Sequence, residues 1–329
     1  MGHSIAVMIT KGGVGKSTLI MALADTLSVY HGKRVLIIDS DTQASISSML
    51  MDNDQLIAVQ KSDRTIAEYL KETTVNGKQL DWHDFVVDGV SDVDDARTVS
   101  LIPCASRLLL FEREIITGLY YSRLEPVING LLRSAEQEYD IVFVDCPPTF
   151  SLLTEAWMRR CEFYLSPAKP DYLSLRGLEV LQQFKSMDSS KPFARNLGVL
   201  VNMKDPGSQI DIRLHNALRE NSIYRCFAHA VPSHPYLRHA AIFDPGQRSY
   251  MAKYPGAVAT ALKEVAQELL GRIRNHALEP KAPPVRPSPT SPPPAAAQAS
   301  VQEGAQRPGS AAEAPTDERP LPLRRNYSG

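Results

Sequence analysis

With 329 residues, 43% of them hydrophobic and 22% charged, the chain has the composition of a globular protein with room for a substantial core. Its four cysteines, Cys104, Cys146, Cys161 and Cys226, form no CxxC pair, which argues for reduced thiols and against a disulfide framework or a cysteine zinc site. A formal net charge of −1 exerts no global pull on nucleic acid or anionic lipid, so any polyanion contact must come from a local basic patch.

The N-terminus lacks the apolar run of a signal peptide, and no stretch approaches the roughly 18 to 20 apolar residues that span a bilayer, so a cytosolic protein is expected. Residues 4–10 (SIAVMIT) form a short β-branched run ending in a glycine-rich turn, and Ser17 to Leu27 then shows helical spacing of Leu, Ile, Met and Ala. A second run, Arg34 to Ile38, follows at the distance of a βαβ unit and stops at Asp39 and Asp41. The stretch from Asp52 to Arg97 is more polar and reads as helical and loop excursions on the rim. Further runs at Val99 to Ile102, Ile141 to Val144, Phe163 to Leu165 and Leu197 to Val201 are separated by helix-length segments. This alternation predicts an α/β fold: a doubly wound, mostly parallel sheet with helices on both faces. An amphipathic helix over Ala257 to Arg274 closes the folded part, giving one domain over 1–276. Residues 277–329 are rich in Pro, Ala, Ser and Gln with almost no large apolar residues, and are expected to be a disordered tail.

The strongest chemical signal is KGGVGKST, Lys11 to Thr18, between the first strand and the first helix. Gly12, Gly13 and Gly15, with Val14 between them, let successive amides curl toward a phosphate, and the helix that follows presents its positive end to the same anion. Lys16 is expected to reach the β and γ phosphates of ATP, the Ser17 hydroxyl to coordinate Mg2+, and Thr18 to complete the cradle. Lys11, at the outer end of the loop, is not needed to hold the chain's own nucleotide.

That second lysine, together with VLIIDSDTQAS (Val35 to Ser45) and YDIVFVDCPPTFS (Tyr139 to Ser151), resembles the ParA/Soj family of deviant Walker A P-loop ATPases, within the ParA/MinD superfamily. The resemblance implies that Lys11 acts in trans on a partner's nucleotide in an ATP-bound homodimer. It implies that Asp41 orients the attacking water, and that Asp39 and Asp145 approach Mg2+, mostly through water. The family's DxDPQ pattern is altered here, with Thr42 in place of the proline. Asn202 and Pro232 occupy positions where the family places residues near adenine. His229, His234 and His239 lie five residues apart, a spacing that does not stack on one helical face as metal ligands would.

The resemblance further implies a slow ATPase stimulated by a ParB-like or other cargo-adaptor partner. Such a protein binds DNA non-specifically as an ATP dimer and partitions or positions a plasmid, chromosome or other large cargo, which would associate it with the nucleoid. Candidate phosphate contacts are Lys204, Arg213, Arg219, Arg238, Arg248 and Lys253. A MinD-like membrane-associated ATPase is a competing reading, but the terminal ERPLPLRRNYSG offers no amphipathic anchor. An ATP-stabilised adaptor or scaffold with little turnover is the third.

Overall fold

The computed structural model describes residues 1–188 and 192–278. Its elements run β1 (His3–Val7), α1 (Lys16–His31), β2 (Val35–Asp39), α2 (Ser45–Leu50), α3 (Asn53–Lys61), α4 (Ile66–Thr74), a 3-10 turn (Trp82–Phe85) and β3 (Val99–Ile102). They continue with α5 (Leu108–Thr117), α6 (Tyr121–Glu138), β4 (Ile141–Asp145), α7 (Leu152–Arg160), β5 (Phe163–Ala168), α8 (Tyr172–Met187) and β6 (Arg195–Val201). The last are α9 (Gln209–Glu220), α10 (Pro235–Ala240), α11 (Tyr250–Lys253) and α12 (Ala257–Leu278). No helix among the described residues is long and apolar enough to cross a membrane.

All six strands pair in parallel, in the order β3-β2-β4-β1-β5-β6. Every residue of β2, β3, β4 and β5 is buried, which is why these strands read as continuous apolar runs and not as alternation. The two-residue period of a strand still divides the core. Ile5, Val7, Val35 and Ile37 pack with α1 and α12 on one face, while Ala6, Met8, Leu36 and Ile38 pack with α4, α6 and α7 on the other.

The amphipathic stripe of α12 does what its spacing predicts: Val258, Leu262, Val265, Ala266 and Leu269 are fully buried, each larger one contributing about 1.5–3 kcal/mol. The helix runs to Leu278, so the predicted boundary at 276 falls inside it. The expected disordered tail, from 279 onward, lies outside the described residues.

The segment from Asp52 to Arg97 is not confined to the rim. Ile66, Leu70, Trp82 and Phe85 are buried beneath the second face, and α4 buries Ile66, Ala67, Tyr69 and Leu70 together. The four cysteines are free; Cys104, Cys146 and Cys161 are buried and Cys226 partly so.

Candidate active site

β1 leads into the glycine loop, and the loop's shape depends on two left-handed glycines, Gly13 at φ 72° and Gly15 at φ 76°. A Cβ on Gly15 would lie 2.7 Å from Met203 Cε and 2.8 Å from Asn202 Nδ2, so the loop closes onto the end of β6 only because no side chain is there. At Gly12 and Gly13 a Cβ would meet nothing within 4 Å, and that open side is where a phosphate chain fits.

Five of the predicted side chains converge at the C-terminal edge of the sheet. Asp39 and Asp145 end adjacent strands as register partners. Lys16, buried at the start of α1, places its Nζ in hydrogen-bonding contact with Asp145 and 4.0 Å from Asp41 Oδ2. Ser17 Oγ donates to the other Asp145 oxygen at 2.6 Å. Burial alone would lower the Lys16 pKa, but the adjoining Asp145 and then Asp41 hold it above the ordinary lysine value. Asp39 shows the opposite balance: complete burial and the facing Asp145 push its carboxyl up to about 7, against the hydrogen bonds it accepts.

Those bonds shape the turn after β2. Asp39 accepts Ser47 Oγ at 2.6 Å, Ser47 N at 3.1 Å and Asp41 N at 3.2 Å. Asp41 in turn accepts Gln43 N at 3.0 Å, and Ala44 adopts a left-handed φ of 50°. The turn thus holds Asp41 near the loop without Asp41 sharing a strand.

The donor set fits a magnesium-nucleotide. Two carboxylates and one hydroxyl are too few to hold a hard divalent cation alone, but they match the partial shell Mg2+ takes when phosphate oxygens and water complete it. Lys16 Nζ already places a positive charge between Asp145 and Asp41, where the oxygens need one. Ser17, Asp39 and Asp145 would hold the cation, and Lys16 with the loop amides would hold the phosphates.

Asn202 and Pro232 both line a cavity of about 560 Å³ beside Thr18. Asn202 also makes a contact that its position in the sequence does not signal: its Nδ2 donates to Val14 O at 2.7 Å and so braces the glycine loop. His234 and Arg238 also line this cavity, and His234 caps α10 by accepting Tyr236 N at 3.3 Å. His229 instead pairs with Glu268 at 2.8 Å.

Lys11 does not join the converging group. Its Nζ lies 2.5 Å from Asp171 Oδ2, while Asp171 Oδ1 caps α8 by accepting Ser174 N at 2.8 Å. Lys11 and the capping bond hold the Asp171 carboxyl below its usual range despite the opposing effect of partial burial. Ser47 and Asp171 are site residues that motif reading missed; the only local signal for Asp171 is its place as a helix cap before an apolar-periodic segment.

The six basic residues proposed for DNA part company. Lys253 is a correction: it is fully buried, with Nζ 2.8 Å from Asp25 Oδ2 and 2.5 Å from Asp92 Oδ1. Tyr254 OH and Ser91 Oγ also donate to Asp25, at 2.7 and 2.6 Å. An ammonium so enclosed has no surface to offer a phosphate. Arg248 is pinned to the same network, through Asp92 Oδ2 at 2.7 Å and Ile242 O at 2.9 Å, which removes it as a free contact too. Lys204 is half-buried, with Nζ 3.2 Å from His215 Nδ1, whereas Arg213, Arg219 and Arg238 are exposed.

Fold and loop together define a P-loop α/β protein whose glycine loop sits at the C-terminal edge of a parallel sheet. A family model described as an AAA domain matches residues 2–193. The sporulation initiation inhibitor protein Soj of Bacillus subtilis is 28% identical over 263 residues, covering 75% of this chain and 94% of Soj. A ParA family protein of Chlamydia pneumoniae is 31% identical over 206 residues, covering 60% of this chain and 70% of that protein. The crystal structure of cobyrinic acid a,c-diamide synthase from Mycobacterium smegmatis, with bound ATP analog and magnesium, superposes with a TM-score of 0.65 at 20% identity, covering 84% of this chain and 97% of that one. The chain belongs to the ParA/MinD family of P-loop ATPases.

Proposed function

We propose that this chain is an ATP-dependent dimerising switch that hydrolyses ATP slowly, binds duplex DNA without sequence preference, and partitions or positions a large cargo with a ParB-like or similar stimulating partner. The observation that carries the reading is a division of labour between two lysines: Lys16 lies among Asp41, Asp145 and Ser17, while Lys11 stands outside that group, held by Asp171.

On this reading the phosphates of ATP lie against the amides of residues 12–18, and Lys16 turns from Asp145 toward the β and γ oxygens. Ser17, with Asp39 and Asp145 acting mostly through water, holds magnesium, which neutralises charge on the phosphate oxygens. Asp41, fixed by the turn that Asp39 and Ser47 shape, orients the attacking water. Asn202 and Pro232 receive the base. Lys11 leaves Asp171 and crosses to the nucleotide of a second copy, so the dimer is favoured only while the γ-phosphate is present. Residues 1–276 form the switch unit, and DNA binding places the dimer on the nucleoid. The reported likeness to Soj and to a ParA family protein supports the partition role.

The test is retention of arbitrary duplex DNA and of anionic liposomes, with ATP and with ADP, by wild type and Lys16→Ala. ATP-dependent, salt-sensitive DNA retention that Lys16→Ala abolishes is the expected result. Liposome retention without DNA retention overturns it in favour of the membrane reading, and neither in favour of an adaptor. A purified Asp41→Ala chain that stays monomeric with ATP and magnesium removes the switch altogether.

A further inference from the structure

The cavity beside Thr18 carries more positive charge than a nucleoside needs. Besides its apolar lining of Leu19, Ala22 and Leu262 it holds Lys169, His234 and Arg238, and none of its lining side chains is acidic. A neutral base and ribose call for shape and a few neutral polar groups, not for two permanent cations.

Lys169 is the first residue after β5, and the backbone fixes the wall it belongs to: Asn202 N donates to Ala168 O at 2.8 Å, and Asp171 N donates to Lys169 O at 2.8 Å. The lysine is half-buried. Among the described residues its ammonium has no ion pair or hydrogen bond, whereas Lys11, Lys16 and Lys253 each meet a carboxylate. Partial burial without a partner costs free energy and leaves an unmatched positive charge on the cavity wall.

Arg238, on α10, is exposed, and its guanidinium likewise has no bond among the described residues. A helix dipole favours a cation in the last turn, which accounts for Arg238 by itself. It does not account for Lys169, which leaves a strand. His234 adds a neutral donor: its Nδ1 accepts Tyr236 N at 3.3 Å, which puts the ring proton on Nε2, and the ring stacks on Tyr236 at 5.1 Å.

With the 5′ phosphates on the glycine loop and the base against Asn202 and Pro232, the part of a nucleotide left to meet these groups is the ribose. Its 2′ and 3′ oxygens are where a further phosphate can be carried. We propose that the cavity takes a nucleotide phosphorylated on its ribose as well as at the 5′ position, with Lys169 and Arg238 as the charged contacts and His234 as a neutral donor. The assignment rests on the reading that places a base in this cavity, and it makes the ligand a competitor of ATP for the same loop.

The test is calorimetric binding of 5′-AMP, adenosine 3′,5′-bisphosphate, adenosine 2′,5′-bisphosphate and ATP to the full-length protein. One of the two bisphosphates is expected to bind about 10-fold or more tighter than 5′-AMP, the gain from at least one charge-assisted hydrogen bond, and to compete with ATP. In Lys169→Gln/Arg238→Gln the ratio of bisphosphate to 5′-AMP affinity should fall to near one. In Lys169→Arg/Arg238→Lys, which keeps both charges, most of the preference should return. Bisphosphates that bind wild type no tighter than 5′-AMP overturn the proposal whatever the variants do, and ATP binding in the same protein leaves the ATP reading standing. A preference that survives in the Gln variant also overturns it, as does a loss there shared equally by 5′-AMP, which would assign both cations to the 5′ phosphates. Wild type that binds neither ATP nor the bisphosphates overturns both readings.

Discussion

The glycine-loop half of the molecule and the loop-rich stretch from Asn202 to Tyr254 treat their charged residues in opposite ways. In the first, charge is gathered where the motif places it: Lys16, Asp39, Asp41 and Asp145 meet at the ends of neighbouring strands. In the second, the basic residues are dispersed by the fold, Lys253 into the core, Arg248 onto its edge, Arg238 to the cavity beside Thr18 and Arg213 to solvent. A motif reports on geometry because one ligand constrains all its members; a scatter of arginines and lysines carries no such constraint.

The comparison breaks most sharply at Lys253. Lys253→Met leaves Asp25 and Asp92 buried without their ammonium, and urea unfolding should register a loss of about 3–5 kcal/mol. An unchanged midpoint would return Lys253 to the surface candidates. Gly15→Ala comes next: the strained φ and the clash with Met203 and Asn202 should cost about 1–3 kcal/mol by the same measurement and weaken ATP binding measured calorimetrically.

Asp171→Asn should change stability by at most about 1 kcal/mol, because its pair with Lys11 is partly solvated. Its larger consequence is on assembly, where freeing Lys11 should lower the protein concentration at which ATP produces dimers in analytical ultracentrifugation; a raised concentration would mean that Asp171 aids the dimer instead. Arg213→Ala marks the floor, within about 0.5 kcal/mol of wild type in thermal unfolding.

All six strands are legible in the sequence because burial on both faces turns them into unbroken apolar runs, and the glycine loop because its turn admits few residue types. Asp39, Asp145, Lys16 and Ser17 follow from that loop and from strand ends. The rest depends on partners far along the chain. Lys253 meets Asp25 and Asp92 across separations of 228 and 161 residues, and Lys11 meets Asp171 across 160. No window of local pattern contains both members of such a pair. The segment after Asp52 reads as rim for a related reason: its buried apolar residues serve two faces, Ile66, Leu70, Trp82 and Phe85 in one core and Leu56, Val90 and Val93 in the other, and no local pattern shows which face each will meet.

The buried thiols offer a natural clock for the opening of this architecture. Cys146 directly follows Asp145, and Cys104 N donates to the same Ser47 hydroxyl that steadies Asp39, so both buried cysteines lie under the floor of the site. Burial pushes both thiols well above their ordinary pKa, leaving almost no reactive thiolate in the closed form. Alkylation can therefore proceed only as fast as the floor lifts, and a bound ligand that clamps the floor should slow modification of these two sulfurs far more than that of Cys226 at the distant edge.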